Sequence, residues 1–204
     1  MALASPNLDG AVSKNPERGR LIVLSGPSGV GKDTVIAELM PLLPALRRPA
    51  AYTTRSPRPG EVDGRDYSFV DLATFNEMES AEQFLETALV HGNRYGTSRE
   101  RVEAVRNEGY DALLKPDVQG AAQLRDAGVD ALFVFLAPPS PEILRERLQR
   151  RGTESPEELA VRTQDATHEL AAASWYQHVV VNDEVRRAAR EVAEILSERN
   201  PNLS

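Results

Sequence analysis

The stretch "RLIVLSGPSGVGKDT", residues 20–34, joins an apolar run directly to a glycine-rich turn. The run at residues 21–24 predicts a buried strand, and the pattern that follows the turn predicts a helix over residues 34–43. The glycines between them let the backbone turn tightly, so that consecutive N–H groups point at one centre beside a helix N-terminus. The sequence therefore predicts an anion site between a strand and a helix.

This turn matches the phosphate-loop pattern G-x-x-x-x-G-K-[ST] at every position except the last. Lys32 can reach the outer phosphates of a nucleotide, whereas Asp33 stands where the pattern has a hydroxyl. A ligand-free turn is the less favoured alternative, because the strand, the helix and the lysine are all in place. The loop predicts nucleotide binding, but it serves kinases, ATPases and GTPases alike and names no acceptor.

Further apolar runs are each followed by a polar or Gly/Pro break and then by helical periodicity, which predicts a parallel sheet flanked by helices. The runs are residues 112–114, 131–136 and 179–181, and the helical segments are residues 141–150, 156–173 and 185–199. Between residues 55 and 98 the sequence is rich in Pro and Gly. We expect an inserted lobe of small strands there, with a short helix near residues 72–79.

Composition limits the class of protein. The 204 residues suit one compact unit, and 24 basic against 31 acidic side chains leave a net charge of −7. That balance argues against general binding to nucleic acid or to anionic membranes. The absence of cysteine excludes disulfides and thiolate chemistry, and no apolar run reaches the ~20 residues of a membrane span. We expect a cytoplasmic protein with a disordered tail at residues 1–19.

Five later segments occur in order: "YTTRSPRPGEVDGRDYSFV", "EQFLETALVHGNRYGTS", "DVQGA", "FLAPPSPEILRERLQRRGTES" and "VVVND". Together with the loop they resemble the guanylate kinase family, from about Arg20 to the C-terminal helix. The resemblance implies an α/β P-loop kinase fold and transfer of the γ-phosphoryl group of ATP to GMP, with Mg²⁺ as cofactor. It also implies a core (residues 20–54 and 99–204), an inserted mixed-β GMP-binding lobe (residues 55–98) and a short helical lid (about residues 147–163).

The resemblance places two groups of residues on GMP. Those around the phosphate are Arg55, Arg58, Tyr67 and Tyr95, and those around the base are Glu86, Thr97 and Asp117. Guanidinium groups match phosphate oxygens bidentately, and a carboxylate accepts from the N1–H and the N2 amino group of guanine. Taken alone, "RSPRPG" would be a solvated basic turn and Glu86 an exposed helix-face charge.

The resemblance also places residues on ATP. The ATP-binding set is Gly26, Pro27, Ser28, Gly29, Val30, Gly31, Lys32, Asp33, Thr34 and Asn182, and the catalytic set is Lys32, Arg147, Arg151 and Arg162. Closing arginines neutralise the triphosphate, since phosphoryl transfer depends on positioning and charge. Asn182 has two open readings: a contact near adenine, or the N-cap of the last helix.

The chain departs from the family pattern at Asp33, at Ala51 and in "LLKPDVQG", where the family has "LEIDVQG". Ala51 lacks a hydroxyl that helps to read guanine, so one neutral hydrogen bond of roughly 0.5–1.5 kcal/mol is lost. Pro116 cannot donate within a strand and marks a bulge or the end of the strand. Asp33 and Lys115 change charge in opposite directions. We expect them to compensate, with Asp33 as a ligand of Mg²⁺.

Two alternatives to a guanylate kinase stay open. A "GKD" loop also resembles kinases of ribose phosphates, which would take a different acceptor. A non-catalytic guanylate-kinase-like binding module is disfavoured, because such modules lose the loop lysine or the lid arginines and this chain keeps both. The sequence does not decide between a monomer and a homodimer.

Overall fold

The computed structural model describes residues 17–90, 92–149 and 169–198. The strands in these ranges are β1 (Leu21–Ser25), β2 (Leu46–Arg47), β3 (Ala51–Thr53), β4 (Tyr67–Phe69), β5 (Phe84–Val90), β6 (Asn93–Ser98), β7 (Asp111–Leu114), β8 (Leu132–Ala137) and β9 (His178–Val181). The helices are α1 (Lys32–Leu39), α2 (Leu72–Ser80), α3 (Arg99–Asn107), α4 (Val118–Asp126), α5 (Pro141–Gln149) and α6 (Val185–Ser197). None of these helices is long and apolar enough to cross a membrane.

The larger sheet is parallel throughout, in the order β2-β7-β1-β8-β9. β1 lies in its centre, where Ile22 pairs with Leu113 on one side and with Leu132 on the other. Every residue of β1 is buried, as a continuous apolar run on a two-sided sheet requires. The predicted parallel sheet flanked by helices is confirmed.

Alternation along β1 divides the core into two clusters. Ile22 and Leu24 pack with buried residues of α1 and α6, including Val35 and Val192. Leu21 and Val23 point the other way and pack with residues of α3 and α4. The central strand is therefore held from both faces, and its carboxyl end presents the glycine-rich turn.

The smaller sheet has the order β4-β3-β6-β5. β3 pairs parallel to β4 and antiparallel to β6, and β5 pairs antiparallel to β6, so the predicted mixed sheet is confirmed. Phe75 of α2 is fully buried and stacks on Phe84 with ring centroids 4.7 Å apart. The sheet includes β3, which begins at Ala51, before residue 55, where the sequence placed the start of the lobe.

Two local predictions have clear outcomes. The helix expected over residues 34–43 begins at Lys32 and ends at Leu39, and a 3-10 turn continues over Met40–Leu42. Pro41 explains the change, because proline lacks the N–H that would continue the α-helical pattern. β7 ends at Leu114, so Pro116 follows the end of the strand and interrupts no ladder. The helix expected over residues 156–173 lies largely outside the described residues.

Candidate active site

The glycine-rich turn lies between β1 and α1. Gly29 and Gly31 have positive φ, at 81° and 99°. A Cβ on Gly31 would lie 2.7 Å from Asn182 Nδ2, and one on Gly29 would lie 2.7 Å from the Leu148 side chain. Both conformation and space therefore require glycine. The backbone N–H of Ser28 donates to the Glu169 carboxylate at 3.1 Å, so the loop already binds an anionic group.

Lys32 lies over this turn. Its Nζ donates to the carbonyl oxygens of Gly26 and Pro27, the latter at 3.1 Å. The pKa of Lys32 is lowered to about 8, mainly by burial, with Glu169 acting in the opposite direction and the Lys115 ammonium adding to the decrease. The side chain is therefore a cation at neutral pH, held beside the site where the loop binds anions.

Asp33 and Lys115, whose charges we expect from the sequence to compensate, are in direct contact. Lys115 Nζ donates to Asp33 Oδ1, although the two residues are 82 positions apart. The Lys115 side chain is only 11% exposed, whereas that of Asp33 is 78% exposed. Desolvation lowers the pKa of Lys115, but Tyr67 and Asp33 outweigh it and the net shift is upward. Lys115 is thus a charged ammonium largely withdrawn from water.

A cavity of about 460 Å³ opens between the phosphate loop, the β7–α4 connection and the smaller sheet. Its volume is in the range of small-molecule sites. Seven of the residues assigned from the sequence line it: Ser28, Lys32, Tyr67, Glu86, Tyr95, Thr97 and Asp117. Ala51 and Lys115, two of the positions that depart from the family pattern, also line it.

Glu86 lies on β5 with 6% exposure, opposite Thr97 on β6. Thr97 Oγ1 donates to Glu86 Oε1. Burial raises the pKa of Glu86 to about 7, and the nearby Asp117 carboxylate adds to the rise, whereas the bond from Thr97 opposes it. Glu86 is therefore a buried carboxyl group close to its ionisation point at neutral pH.

Asp117 is the N-cap of α4 and accepts from the backbone N–H of Gly120 at 2.8 Å. Burial raises the pKa of Asp117, while the Gly120 N–H and Lys32 act in the opposite direction. Capping uses only part of the accepting capacity of a carboxylate. Glu86 and Asp117 thus bring two acceptor groups to one wall of the cavity.

The Glu61 carboxylate binds the side chain of Arg55 and the backbone of Arg58. The Arg55 guanidinium makes two 2.8 Å bonds to the Glu61 carboxylate, and the backbone N–H of Arg58 donates to Glu61 at 2.7 Å. Arg55 Nε also donates to the Tyr95 hydroxyl at 3.3 Å. The structure therefore brings Arg55 together with the predicted tyrosines, and neither arginine lines the cavity.

The side chains of Arg147 and Asn182 both bind the backbone of the phosphate loop at Val30. Arg147 donates to the carbonyl of Val30 at 3.1 Å and to that of Asn182 at 2.9 Å, and Asn182 Nδ2 donates to Val30 at 2.7 Å. The N-cap of α6 is Glu184, which accepts from two backbone N–H groups. The N-cap interpretation of Asn182 is therefore wrong, because the helix starts further along the chain. Arg151 and Arg162 lie outside the described residues.

Two charged residues of the cavity were not singled out from the sequence. Arg48 lines it from the segment between β2 and β3, and Glu169 lines it beside the phosphate loop. In the sequence each has the pattern of an ordinary solvated charge, and no local signal distinguishes it. Only the folded chain brings these two side chains to the loop.

The carboxylate beside the phosphate loop suits a metal ion that binds together with the phosphates of a nucleotide. Among the described residues there is no cluster of three or more His, Cys, Asp or Glu side chains that could hold a metal by itself. Asp33 offers one largely exposed carboxylate beside the phosphate loop. Protein sites commonly hold Mg²⁺ through one or two carboxylates together with substrate phosphates and water, so Asp33 fits that role.

Known proteins share both the sequence and the architecture. The family model for guanylate kinase matches residues 18–199. Guanylate kinase from Geobacter sulfurreducens is 43% identical over 178 residues, which are 87% of this chain and 88% of that protein. The one from Gloeobacter violaceus is 46% identical over 182 residues, 89% of each chain.

A solved structure agrees with these relatives. The crystal structure of guanylate kinase from Anaplasma phagocytophilum superposes with a TM-score of 0.70 at 31% identity. The match covers 88% of this chain and 85% of that one. The fold, the phosphate loop and the cavity with its two carboxylates thus occur in a chain whose sequence matches one family along most of its length. This chain belongs to the guanylate kinase family.

Proposed function

We propose that this protein transfers the γ-phosphoryl group of ATP to GMP and releases ADP and GDP. The observation that carries the proposal is the pair of acceptor groups, Glu86 and Asp117, on the wall of a cavity that also reaches Lys32. Guanine presents N1–H and its N2 amino group as adjacent donors, and carboxylates only accept. Adenine has no such pair of donors on that edge, so the site favours GMP over AMP.

The chemistry requires little covalent participation by the protein. A phosphate oxygen of GMP attacks the γ-phosphorus while the bond to the β–γ bridging oxygen breaks, and that oxygen leaves with ADP. The loop N–H groups and Lys32 would hold the donor phosphates, and Arg55, Arg58, Tyr67 and Tyr95 would hold the acceptor phosphate. Arg147, with Arg151 and Arg162, would offset the charge of the triphosphate.

Mg²⁺ is the cofactor that we assign, with Asp33 as its protein ligand. Held by Asp33, the ion would supply charge neutralisation to the phosphates during transfer. Asp33 lies at the start of α1, next to Lys32, and its side chain is largely exposed. The Thr34 hydroxyl instead donates to the carbonyl of Gly31 at 2.9 Å and is turned back toward the loop. Asp33 is therefore better placed than Thr34 to meet the ion.

The remaining assignments follow from this activity. Both substrates are free nucleotides of purine metabolism, which places the reaction in the cytoplasm. A net charge of −7 does not favour nucleic acid or membranes as partners. We assign the division into a core, a GMP-binding lobe of residues 55–98 and a lid of about residues 147–163 on the family resemblance. The protein acts as a monomer or a homodimer.

A coupled assay of ADP formation tests the proposal. GMP, AMP, UMP, dTMP and ribose 5-phosphate are supplied in parallel as acceptors with Mg²⁺ and ATP. GMP should exceed the other acceptors by several powers of ten in kcat/KM, because buried acceptors left without donors are costly. Glu86→Gln should lose discrimination for GMP and still bind ATP. Equal rates with GMP and AMP would refute the proposal.

A further inference from the structure

Lys115 reaches toward both substrate regions from the end of the central sheet. It follows β7 directly, and its Nζ donates to Asp33 at the start of α1. The same Nζ lies 5.2 Å from the centroid of the Tyr67 ring on β4. One ammonium group therefore contacts the phosphate loop and a side chain of the smaller sheet at the same time.

Two cations lie near the Tyr67 ring: Arg55, which follows β3 of the smaller sheet, and Lys115, which follows β7 of the larger sheet. The guanidinium carbon of Arg55 lies 5.4 Å from the Tyr67 ring centroid, and the Tyr95 ring centroid lies 5.8 Å from it. Arg55, Tyr67 and Tyr95 are the residues that we assign to the acceptor phosphate. Lys115 approaches that group from the side of the larger sheet.

The charge balance leaves Lys115 with capacity for an anion. An ammonium has three N–H donors, and Lys115 has two partners, the Asp33 carboxylate, which is itself mostly exposed to water, and the Tyr67 hydroxyl. Asp33 is the carboxylate that pairs with Lys115, and it is also attracted by Lys32 and Arg48. The carboxylates of Asp117 and Glu169 act on Lys32 in the same cavity. A cation withdrawn from water is costly unless an anion accompanies it, and a phosphate dianion would satisfy this cluster.

Resting on the proposed function, we infer that Lys115 binds the phosphate of GMP from the core side, opposite Arg55. The position carries an acid in the family pattern, so this contact would be particular to chains with the lysine. Asp33 then serves as the partner that holds the ammonium in place before GMP arrives. Lys115 would connect the acceptor phosphate to the loop that holds the donor.

The test compares two ligands that differ only by the phosphate. Isothermal titration measures the binding of GMP and of guanosine to the full-length protein without ATP or metal. Lys115→Met should weaken GMP binding by about 10- to 100-fold, because it removes a charge-assisted hydrogen bond, and should leave guanosine binding unchanged. Lys115→Arg should retain most of the GMP affinity. Arg186→Gln is the charge-matched control, since Arg186 is 74% exposed on α6.

Unchanged GMP affinity in Lys115→Met, or an equal loss for GMP and guanosine, would overturn the inference. Thermal unfolding confirms that each variant is folded. If Lys115→Met fails to fold, Asp33→Ser/Lys115→Met removes both charges, and it should show the same selective loss for GMP. The two proposals fail differently: a wild-type protein that transfers no phosphate to GMP refutes the function, whereas transfer to GMP with unaltered GMP binding in Lys115→Met refutes only this contact.

Discussion

Glu86 combines a proposed role in the recognition of GMP with an energetic cost. A carboxylate is the group suited to guanine donors, yet burial makes its ionised form unfavourable and raises its pKa to about 7. Thr97 compensates in part by donating to it. Because the charged form is disfavoured in the folded state, Glu86 lowers stability progressively as pH rises from its ordinary pKa of 4.5 through about 7. The proposed selectivity for GMP thus lowers the free energy of unfolding at neutral and higher pH.

This ionisation predicts a pH dependence of substrate binding. Below about pH 7 Glu86 takes up a proton and loses accepting capacity, so KM for GMP should rise by about tenfold in total between pH 8 and pH 6. KM for ATP should change much less and in the opposite direction, falling about twofold as Lys32, with a pKa of about 8, gains its full charge. Steady-state kinetics across pH measures both. Glu86→Gln is the control: its GMP profile should be flat except for titration of the nucleotide, and a profile parallel to that of the wild type would contradict the assignment.

The contact between Asp33 and Lys115 predicts energetic coupling. Asp33→Ser leaves Lys115 without its partner, and Lys115→Glu places a second acid beside Asp33, so each should lower kcat. The double variant Asp33→Ser/Lys115→Glu has neither an unpaired lysine nor two adjacent carboxylates. It should therefore recover much of kcat at saturating GMP. Its KM for GMP should remain high, because the lysine is still missing. Rates with saturating ATP and Mg²⁺ measure the cycle, and strictly additive single effects would indicate two unrelated changes.

At the scale of elements, α4 approaches β5 closely because residue 120 has no side chain. A Cβ on Gly120 would lie 2.3 Å from Glu86 Oε2 and 3.1 Å from Pro116 Cβ. The glycine therefore lets Asp117, the cap of α4, and Glu86 of β5 share one wall of the cavity. Packing of the two elements and the proposed recognition of the base therefore depend on the same position.

Gly120→Ala should consequently displace Glu86. We expect a loss of about 1–3 kcal/mol in the free energy of unfolding, typical of overpacking, together with a raised KM for GMP. Chemical denaturation and steady-state kinetics measure the two effects. The matched comparison is Glu86→Ala with and without Gly120→Ala: once the carboxylate is gone, the alanine should cost much less. An equal cost in both backgrounds would show that the Glu86 carboxylate is not what Gly120 accommodates.

At the scale of the whole molecule, the cavity has walls from both sheets. Tyr67, Glu86 and Tyr95 come from the smaller sheet, whereas Lys32 and Asp117 belong to the segments that follow strands of the larger one. Transfer to GMP rather than to water requires that solvent be excluded while both nucleotides are bound. The two sheets are thus placed to approach each other around the substrates.

We therefore expect the protein to become more compact with both substrates bound. Small-angle scattering should show a smaller radius of gyration with a bisubstrate analogue that joins adenosine and guanosine through phosphates than without ligand. Guanosine alone is the control, because it occupies only the base site. An unchanged radius of gyration with the analogue would argue against closure.

Much of the fold follows from local sequence, because the signals are local. The run at residues 21–24, the glycines after it and the periodicity beyond them predict strand, turn and helix within one short segment. At Pro116 the missing N–H of proline predicts either a bulge or the end of the strand, and the structure shows that β7 ends at Leu114. The boundary at Leu39, where α1 gives way to a 3-10 turn, was missed. A single proline shortens a helix by an amount that periodicity does not reveal.

Local sequence patterns are enough to predict the phosphate loop and the parallel sheet, and the family resemblance assigns residues to GMP. Which charged side chains meet depends instead on the folded chain. Parallel pairing of β1 with β7 places Lys115 beside Asp33, and the β5–β6 register sets Thr97 opposite Glu86. The pKa of Glu86 and the cavity position of Glu169 likewise depend on long-range packing. Electrostatic energy depends on distance and solvent exposure in three dimensions, and neither quantity is encoded in local sequence.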